Sequence, residues 1–420
     1  MSFLRRSLAA AVIMLCLLVG CVRPAADPIE VTSKHWLRPT YGAVISSPVA
    51  YDWEGDDQLE IAVGSWDGFF YLLDNKLRSL DGWPKYSRRG YFGSPALCDL
   101  DGDGRPEILI GADVGKLFAW RFDGSNVPGF PVPLGYRTWA SPTILPDRQV
   151  AIAGFGRMHR IDSQGRPIPN WPVSMANWAD ATAAVGSDLL VVSTLLVGRR
   201  TEGALCAWHL DGRRYDWSPL RLRMDSDSSP AIADLDGNGE IEIIFGDDEG
   251  LLHVIGLDGR ERPGFPQRAE SLIEASPAIA DLDGDGMLDI AVGAWDARMY
   301  VWNHRGELLP GWPVQVGDHI ISSAALVDVS ADGRPDIIVG SKDNKLYGWH
   351  SWGEPLDGFP YDLGDHVFSS PWVGDLDGDG RADIVVGANN GIHLLRNVGP
   401  LGIAPWPMFH RDAQHSGYVP

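Results

Sequence analysis

Apolar and polar positions alternate along this chain in one recurring block. "SPAIADLDGDGMLDIAVGA", residues 276–294, sets a short apolar run, then a carboxylate-rich polar stretch, then a second and almost wholly apolar run. Most of it returns as "SPAIADLDGNGEIEIIFGD" from Ser229 and "SPWVGDLDGDGRADIVVGA" from Ser370. The block opens at Ser47, Ser94, Ser141, Thr182, Ser229, Ser276, Ser323 and Ser370, spaced by 47 residues except for one step of 41. Trp or Phe before Pro keeps the same period, at Trp83, Phe130, Trp171, Phe265, Trp312, Phe359 and Trp406, and Trp217 stands in register with Ser218 between it and Pro219. A third marker is the apolar residue that closes segments such as "KLFAW" and "RMYVW", from Leu73 to Leu395. Three independent markers on one period identify a repeat protein.

Each unit predicts four short strands. Strand A is "SPAIAD", and strand B is "DIAVGA", whose β-branched, apolar run suits burial on both faces. Strand C is "RMYVW", and a Gly-containing turn leads to strand D, "GWPVQV". Helical periodicity is absent, and the units are too long for the coils of a β-helix. The expected fold is therefore all-β: a single β-propeller of four-stranded blades, eight by the marker count, with seven as the alternative.

Such a ring must close, or blade edges stay unpaired. Trp36 precedes Ser47 by eleven residues, as Trp312 precedes Ser323, so nine strand-D starts accompany eight strand-A starts. Either "HWLRPTYGAVI" or "APWPMFHRDAQHSG" would complete the last blade. The other would be an added strand or a plug.

The first twenty residues differ in kind. Arg5 and Arg6 precede an apolar stretch from Leu8 to Val19, too short for a comfortable membrane span and of signal-peptide form. It ends in Leu18-Val19-Gly20-Cys21, which resembles the bacterial lipobox. That resemblance implies removal of residues 1–20, lipidation of Cys21, a tether over 21–33 and a propeller over 34–420. Val22 stands where an Asp would resemble an inner-membrane retention signal, so the outer membrane is the expected location if the source has one. Membrane attachment through the lipid alone is expected.

Composition narrows the partners. The net charge of −21 becomes more negative when the two arginines of the leader are removed. That argues against nucleic acid or anionic lipid and suits cations. Cys98 and Cys206 sit in apolar runs and are expected as buried strand residues rather than a disulfide or metal pair.

Between strands A and B stands Asp99-x-Asp101-x-Asp103-Gly104-x-x-Glu107. The pattern returns as Asp234/Asp236/Asn238/Glu242, Asp281/Asp283/Asp285/Asp289, Asp328/Ser330/Asp332/Asp336 and Asp375/Asp377/Asp379/Asp383. A weaker form is Asp52/Glu54/Asp56/Glu60, with Asp57 in the glycine's place. Carboxylates this close repel unless a cation sits among them, and oxygen ligands at alternate positions fit Ca²⁺ best. An EF-hand would need a bidentate Glu at position twelve between helices. Here that position is apolar (Ile110, Val339, Val386) and belongs to strand B.

With these residues in view, the chain resembles the FG-GAP or VCBS-type repeat, related to the N-terminal propeller of integrin α subunits. The resemblance covers residues 47 to about 399 and implies a propeller with several structural Ca²⁺ ions. It does not extend its metal loop to the third and fourth units, "TILPDRQVAIAGF" and "AAVGSDLLVVSTL". Integrin propellers have seven blades, whereas eight marker sets stand here.

A ligand site is expected on the face opposite those loops. Four residues before the block starts stand Ala43, Gly90, Arg137, Trp178, Asp225, Leu272, His319 and His366. Two before stand Ile45, Phe92, Trp139, Asp180, Asp227, Glu274, Ile321 and Phe368. Arg137, Trp139, Trp178, Asp180, Asp225, Asp227 and Glu274 concentrate on adjacent blades, and His319 and His366 occupy neighbouring ones. Aromatic platforms beside carboxylates suit a sugar, a peptide or a cationic group. No P-loop, HExxH, GxSxG or Cys–His motif is present. The leading expectation is a non-enzymatic, lipid-anchored, extracytoplasmic Ca²⁺-binding propeller that recognises a protein or glycan. A polysaccharide lyase using rim Asp or His residues is the alternative, and a quinoprotein dehydrogenase is a weaker third.

Overall fold

Each block folds as a four-stranded antiparallel meander because its apolar strands are joined by turns that glycine and aspartate favour. In the computed structural model, which describes residues 26–175, 177–195 and 203–419, eight such sheets are present. They occupy residues 49–86, 96–133, 143–174, 184–221, 231–268, 278–315, 325–362 and 372–400, here blades one to eight. In blade six, strand A is Ala278–Ala280, B is Asp289–Gly293, C is Arg298–Trp302 and D is Val314–Gln315. The A strands of successive blades neighbour one another around the axis. Strand B is buried along its whole length in blade six, as its unbroken apolar run requires. Among the described residues the only helix is a single 3₁₀ turn, Pro146–Arg148, which stands in blade three where other blades carry the acidic loop. Cys98 and Cys206 are both buried.

The N-terminal segment closes the ring. Strand His35–Pro39 pairs antiparallel with Gly391–Pro400 and supplies the fourth strand of blade eight. Ile29–Thr32 adds a fifth, outermost strand. The sheet therefore takes in part of the stretch expected to be a free tether. Cys21 and the leader lie outside the described residues.

The C-terminal segment is the plug. Its carbonyls accept the backbone N–H of Leu326 (from Trp406), Val373 (Pro407), Leu97 (Ala413), Ile144 (Gln414), Val185 (Ser416) and Ile232 (Gly417), at 2.6–2.9 Å. All six donors stand three residues after a block start, so one short tail serves the same position on six inner strands. Those N–H groups face the channel and have no sheet neighbour on that side. Leaving one buried without an acceptor costs about 1–3 kcal/mol.

The markers now have physical meanings. Ser47 N donates to Ser94 Oγ, Ser94 N to Ser141 Oγ, and so on through Thr182 Oγ1 until Ser370 N returns to Ser47 Oγ. The eight bonds measure 2.8–3.2 Å and form a closed hydrogen-bonded ring around the axis. A threonine substitutes at position 182 because only the β-hydroxyl is needed. The Trp marker joins neighbouring blades: Trp83 Nε1 donates to Phe122 O at 2.9 Å, Trp217 Nε1 to Leu257 O at 2.8 Å and Trp312 Nε1 to Ser351 O at 2.7 Å.

Candidate functional site

Two faces carry chemistry. On one lie the A–B loops. The first Asp of each loop folds the turn itself: Asp99 accepts the N–H of Gly102 at 2.7 Å and of Gly104 at 3.2 Å, and Asp281 does the same for Gly284 and Gly286. Gly104 holds φ near +90° with open space beside it, so backbone conformation and not crowding selects glycine there. In blade one Asp57 adopts the same left-handed conformation at φ 62°. The ninth residue reaches back to the loop's second N–H, as Asp289 does to Leu282 at 2.8 Å and Glu107 to Leu100 at 2.7 Å.

Four loops bring ligand atoms within 4.8 Å of one another: Asp99/Asp101/Glu107, Asp281/Asp283/Asp285, Asp332/Asp336/His350 and Asp375/Asp377/Asp383. They are not equivalent, because the residue that follows the strand-C marker differs. In blade eight Arg396 is buried and its Nη1 lies 2.7 Å from Asp377 and 2.9 Å from Asp383. In blade two Arg121 pairs with Asp101 at 2.7 Å, and in blade seven His350 Nδ1 stands 3.1 Å from Asp336. In blade five the ninth carboxylate, Glu242, meets Arg262 at 3.3 Å. Asp234, Asp236 and Asn238 fold that loop without a convergent carboxylate group.

Blade seven carries a serine among its carboxylates. Ser330 stands at the third position, where an oxygen ligand is expected. Its hydroxyl lies 3.3 Å from Asp336 Oδ1 and 3.4 Å from Asp328 Oδ1 and donates within the loop. A serine hydroxyl is neutral and carries a proton that these carboxylates attract, so it serves them as a donor where an aspartate would add a charge. Asp328 in turn accepts the N–H of Ala331 at 2.7 Å and of Gly333 at 3.0 Å, which leaves Asp332, Asp336 and His350 as the convergent set.

Blade six has Asn303 after strand C, and among the described residues no cation forms an ion pair with its loop carboxylates, although the Arg334 guanidinium lies beside Gly284. There Asp289 is 1% exposed and its Oδ1 has no partner. Burial, with Asp283 and Asp281 adding to it, pushes its carboxyl up to about 7. This loop is the best fit to a hard divalent cation. In blade one the weaker form behaves as a turn: Asp52 accepts three backbone N–H groups, from Gly55, Asp56 and Asp57. Burial raises Glu60 to about 7, with Glu54, Asp52 and Asp56 adding to it.

The opposite face opens as a funnel of about 500 Å³. Its lining contains every residue two positions before a block start: Ile45, Phe92, Trp139, Asp180, Asp227, Glu274, Ile321 and Phe368. The eight Ser/Thr hydroxyls of the ring lie beneath them, and Phe409 of the C-terminal tail also lines the cavity. The residues four positions before, including Arg137, Trp178, Asp225, His319 and His366, stand outside the lining. Side-chain alternation along an extended segment explains this, since only every second residue faces the axis.

The funnel has an aromatic half and an acidic half. Trp66 lies 4.9 Å from Phe92, Phe92 stacks on Trp139 at 4.4 Å, and Trp139 meets Trp178 at 5.5 Å. Trp139 Nε1 donates to Asp113, which also pairs with Arg89 at 3.1 Å and Arg137 at 3.6 Å. Arg137 therefore braces the wall from behind. Across the axis stand Asp180, Asp227 and Glu274, with Asp248 and Asp225 close by. Burial pushes Asp227 up to about 8, with Glu274, Asp180, Asp248 and Asp225 all adding to it. Burial likewise pushes Asp180 up to about 7 and Asp248 to about 6. Glu274 accepts Trp295 Nε1 at 2.8 Å.

The two histidines go separate ways. His319 stacks on Trp295 at 4.6 Å, and His366 Nδ1 donates to the Lys342 carbonyl. Neither belongs to a convergent metal-binding group among the described residues. Trp66 and Trp295, in the B–C loops, are readable from the sequence as exposed aromatics that could make contacts, whereas the floor residue Phe409 and Lys342 were missed. The cations of the lower loops were missed as well. Only the position after the strand-C marker, occupied by Arg121, His350 and Arg396, carried a readable signal.

Comparison with known proteins agrees with this architecture. The FG-GAP-like repeat family model matches residues 281–339 and 328–386. No curated protein sequence matches the chain. Among solved structures, the computationally designed Ika8 protein aligns at a TM-score of 0.60 and 12% identity, over 86% of this chain and 98% of that one. BBS1N, from its crystal structure in complex with ARL6DN, aligns at a TM-score of 0.49 and 12% identity, over 90% of this chain and 99% of that one. At such identity the first likeness concerns the fold alone. With eight blades on the page and the repeat matched across the sixth to eighth of them, the chain is a β-propeller that carries FG-GAP-like repeats in those blades.

Proposed function

We propose that this protein is a lipid-anchored, extracytoplasmic Ca²⁺-binding propeller that acts as a binding or scaffold module for a protein or glycan, engaged through the funnel face. One observation carries the reading. The blades repeat the hydroxyl ring beneath the funnel and vary the residues just above it, from Ile45 through Trp139 and Asp227 to Phe368. Scaffold is held constant where the ring must close, and side chains diverge where a ligand would be met. Ca²⁺ in the lower loops, with blade six foremost, would stiffen the A–B turns and add stability by mass action. When bound, the ion supplies charge neutralisation for the clustered carboxylates. Asp281, Asp283, Asp285 and Asp289 would hold it. Cys21 would carry the lipid, holding the propeller at a membrane, the outer one where the cell has two.

A glycan array and a panel of peptide ligands on the purified protein test the binding reading. Binding that is lost on changing Trp66 or Asp227 supports it, and binding unaffected by either change overturns it. A second reading has one observation in its favour. Carboxyls held near neutral pH at Asp180 and Asp227 suit acid–base work in a polysaccharide lyase. Release of unsaturated product, followed by absorbance, would establish that reading in place of the first. For the anchor, Cys21→Ala should release the folded protein from membranes. Retention after a high-salt wash would refute it.

A further inference from the structure

The funnel's two halves specify a ligand chemistry. Asp180, Asp227 and Glu274 make no ion pair among the described residues, although they crowd one wall of a cavity that Phe409 closes below. Their oxygens do not form a convergent group of the kind found in the lower loops, where ligand atoms lie within 4.8 Å of one another. A small metal ion would not reach them together. A larger cation that spreads its hydrogen-bond donors would.

The facing wall is aromatic. Trp66 is 52% exposed, and with Phe92 and Trp139 it offers a continuous apolar surface on which an alkyl stem can lie. The chain already uses this pairing once at the same rim. Lys342 Nζ sits 5.3 Å from the Trp295 ring centre and 6.0 Å from that of Phe368, and its charge acts on Glu274. An ammonium between an indole face and a carboxylate is therefore compatible with this cavity.

We propose that the funnel takes an organic cation on an apolar stem, the chemistry of a lysine or arginine side chain on a protein loop or of a free alkylamine. The proposal rests on the reading of this face as the ligand surface. The stem would lie along Trp66 and Trp139, and the ammonium or guanidinium would donate to Asp227, Asp180 and Glu274. Burial and mutual repulsion hold Asp227 up at about 8, so arrival of a cation would draw a proton off the cluster.

The test is a titration of the full chain, with calcium chloride in excess, followed by tryptophan fluorescence and calorimetry. The probes are acetyl-Gly-Arg-Gly-amide and acetyl-Gly-Lys-Gly-amide, their neutral citrulline and norleucine counterparts, and putrescine. The charged peptides should bind about tenfold or more tightly than the neutral ones. The preference should vanish in Asp227→Asn/Glu274→Gln, whose melting temperature should not fall. Tighter binding of the peptides than of putrescine assigns the cation to a protein loop, and the reverse order assigns it to a free amine. Equal affinity for charged and neutral peptides overturns the proposal. So does a preference that survives the double substitution. A neutral glycan that binds the funnel while every amine fails would remove this inference and leave the binding module standing. Failure of all probes, glycans included, would remove both.

Discussion

Ser370 donates its backbone N–H to the hydroxyl of Ser47 at 3.0 Å, across 323 residues of sequence. This bond completes a ring whose other seven members each join a blade to the next. It places closure at the axis, beneath the funnel, while the strand His35–Pro39 closes the same blade near its outer edge. Two independent interactions therefore hold the first and last blades together.

Replacing the closing hydroxyl should be costly. Ser47→Ala leaves the buried N–H of Ser370 without an acceptor and should destabilise the protein by about 1–3 kcal/mol. Ser47→Thr keeps the hydroxyl, as Thr182 does naturally, and should cost much less. Urea unfolding of the two variants checks this. An alanine variant as stable as the threonine one would mean that the ring bond contributes nothing.

The tail should behave as a structural part. Trp406 is 1% exposed against the inner strands, and Trp406→Ala should cost about 3–5 kcal/mol. Trp66→Ala, on the exposed rim, should stay within about 0.5 kcal/mol. Ending the chain after Leu401 should lower stability further, because six inner-strand N–H groups lose their acceptors. Denaturant midpoints order the three.

Ca²⁺ should raise the melting temperature and Mg²⁺ should do so far less, since irregular multi-carboxylate loops suit the larger ion. At a hundredfold excess over its dissociation constant, one site contributes about 2.7 kcal/mol. Asp289→Asn should remove more of this effect than Asp383→Asn, because Arg396 already neutralises Asp383. Calorimetric scans with and without each ion decide it. Equal losses from the two substitutions would show that Arg396 does not compete with the ion.

Stability should fall as pH rises through neutrality. Asp227 has a folded-state value of about 8 against an ordinary 3.8. Its favourable contribution is fully present below the ordinary value and is lost as pH rises through about 8. Asp227→Asn should flatten that part of the profile and leave the variant the more stable protein at pH 8. Melting curves across the range check the sign, and a variant that is less stable at pH 8 would contradict it.

Much of this was legible in the chain. The period of 47 residues and the strand patterns are local properties, so the eight blades and their order follow from Ser47 to Ser370 without reference to distant contacts. The acidic loops were legible for the same reason, since Asp281 to Asp289 span one turn. What lay beyond the sequence was every outcome set by contacts between segments far apart along it. Both termini carried plausible closing strands, and only the fold assigned closure to His35–Pro39 and the channel to the tail that ends beyond Phe409. The chain showed five similar acidic loops, but Arg262 reaches Glu242 from the C–D connection of its blade and Arg396 reaches Asp383 from the neighbouring strand. In the same way His350 joins Asp332 and Asp336 in blade seven, because it follows strand C there. Two rings of rim residues were equally visible, and the direction each side chain takes from the backbone decided that Asp227 faces the funnel and His319 does not. Local pattern sets which strands form. Which charges meet, and which cavity they share, depends on the three-dimensional closure of the ring.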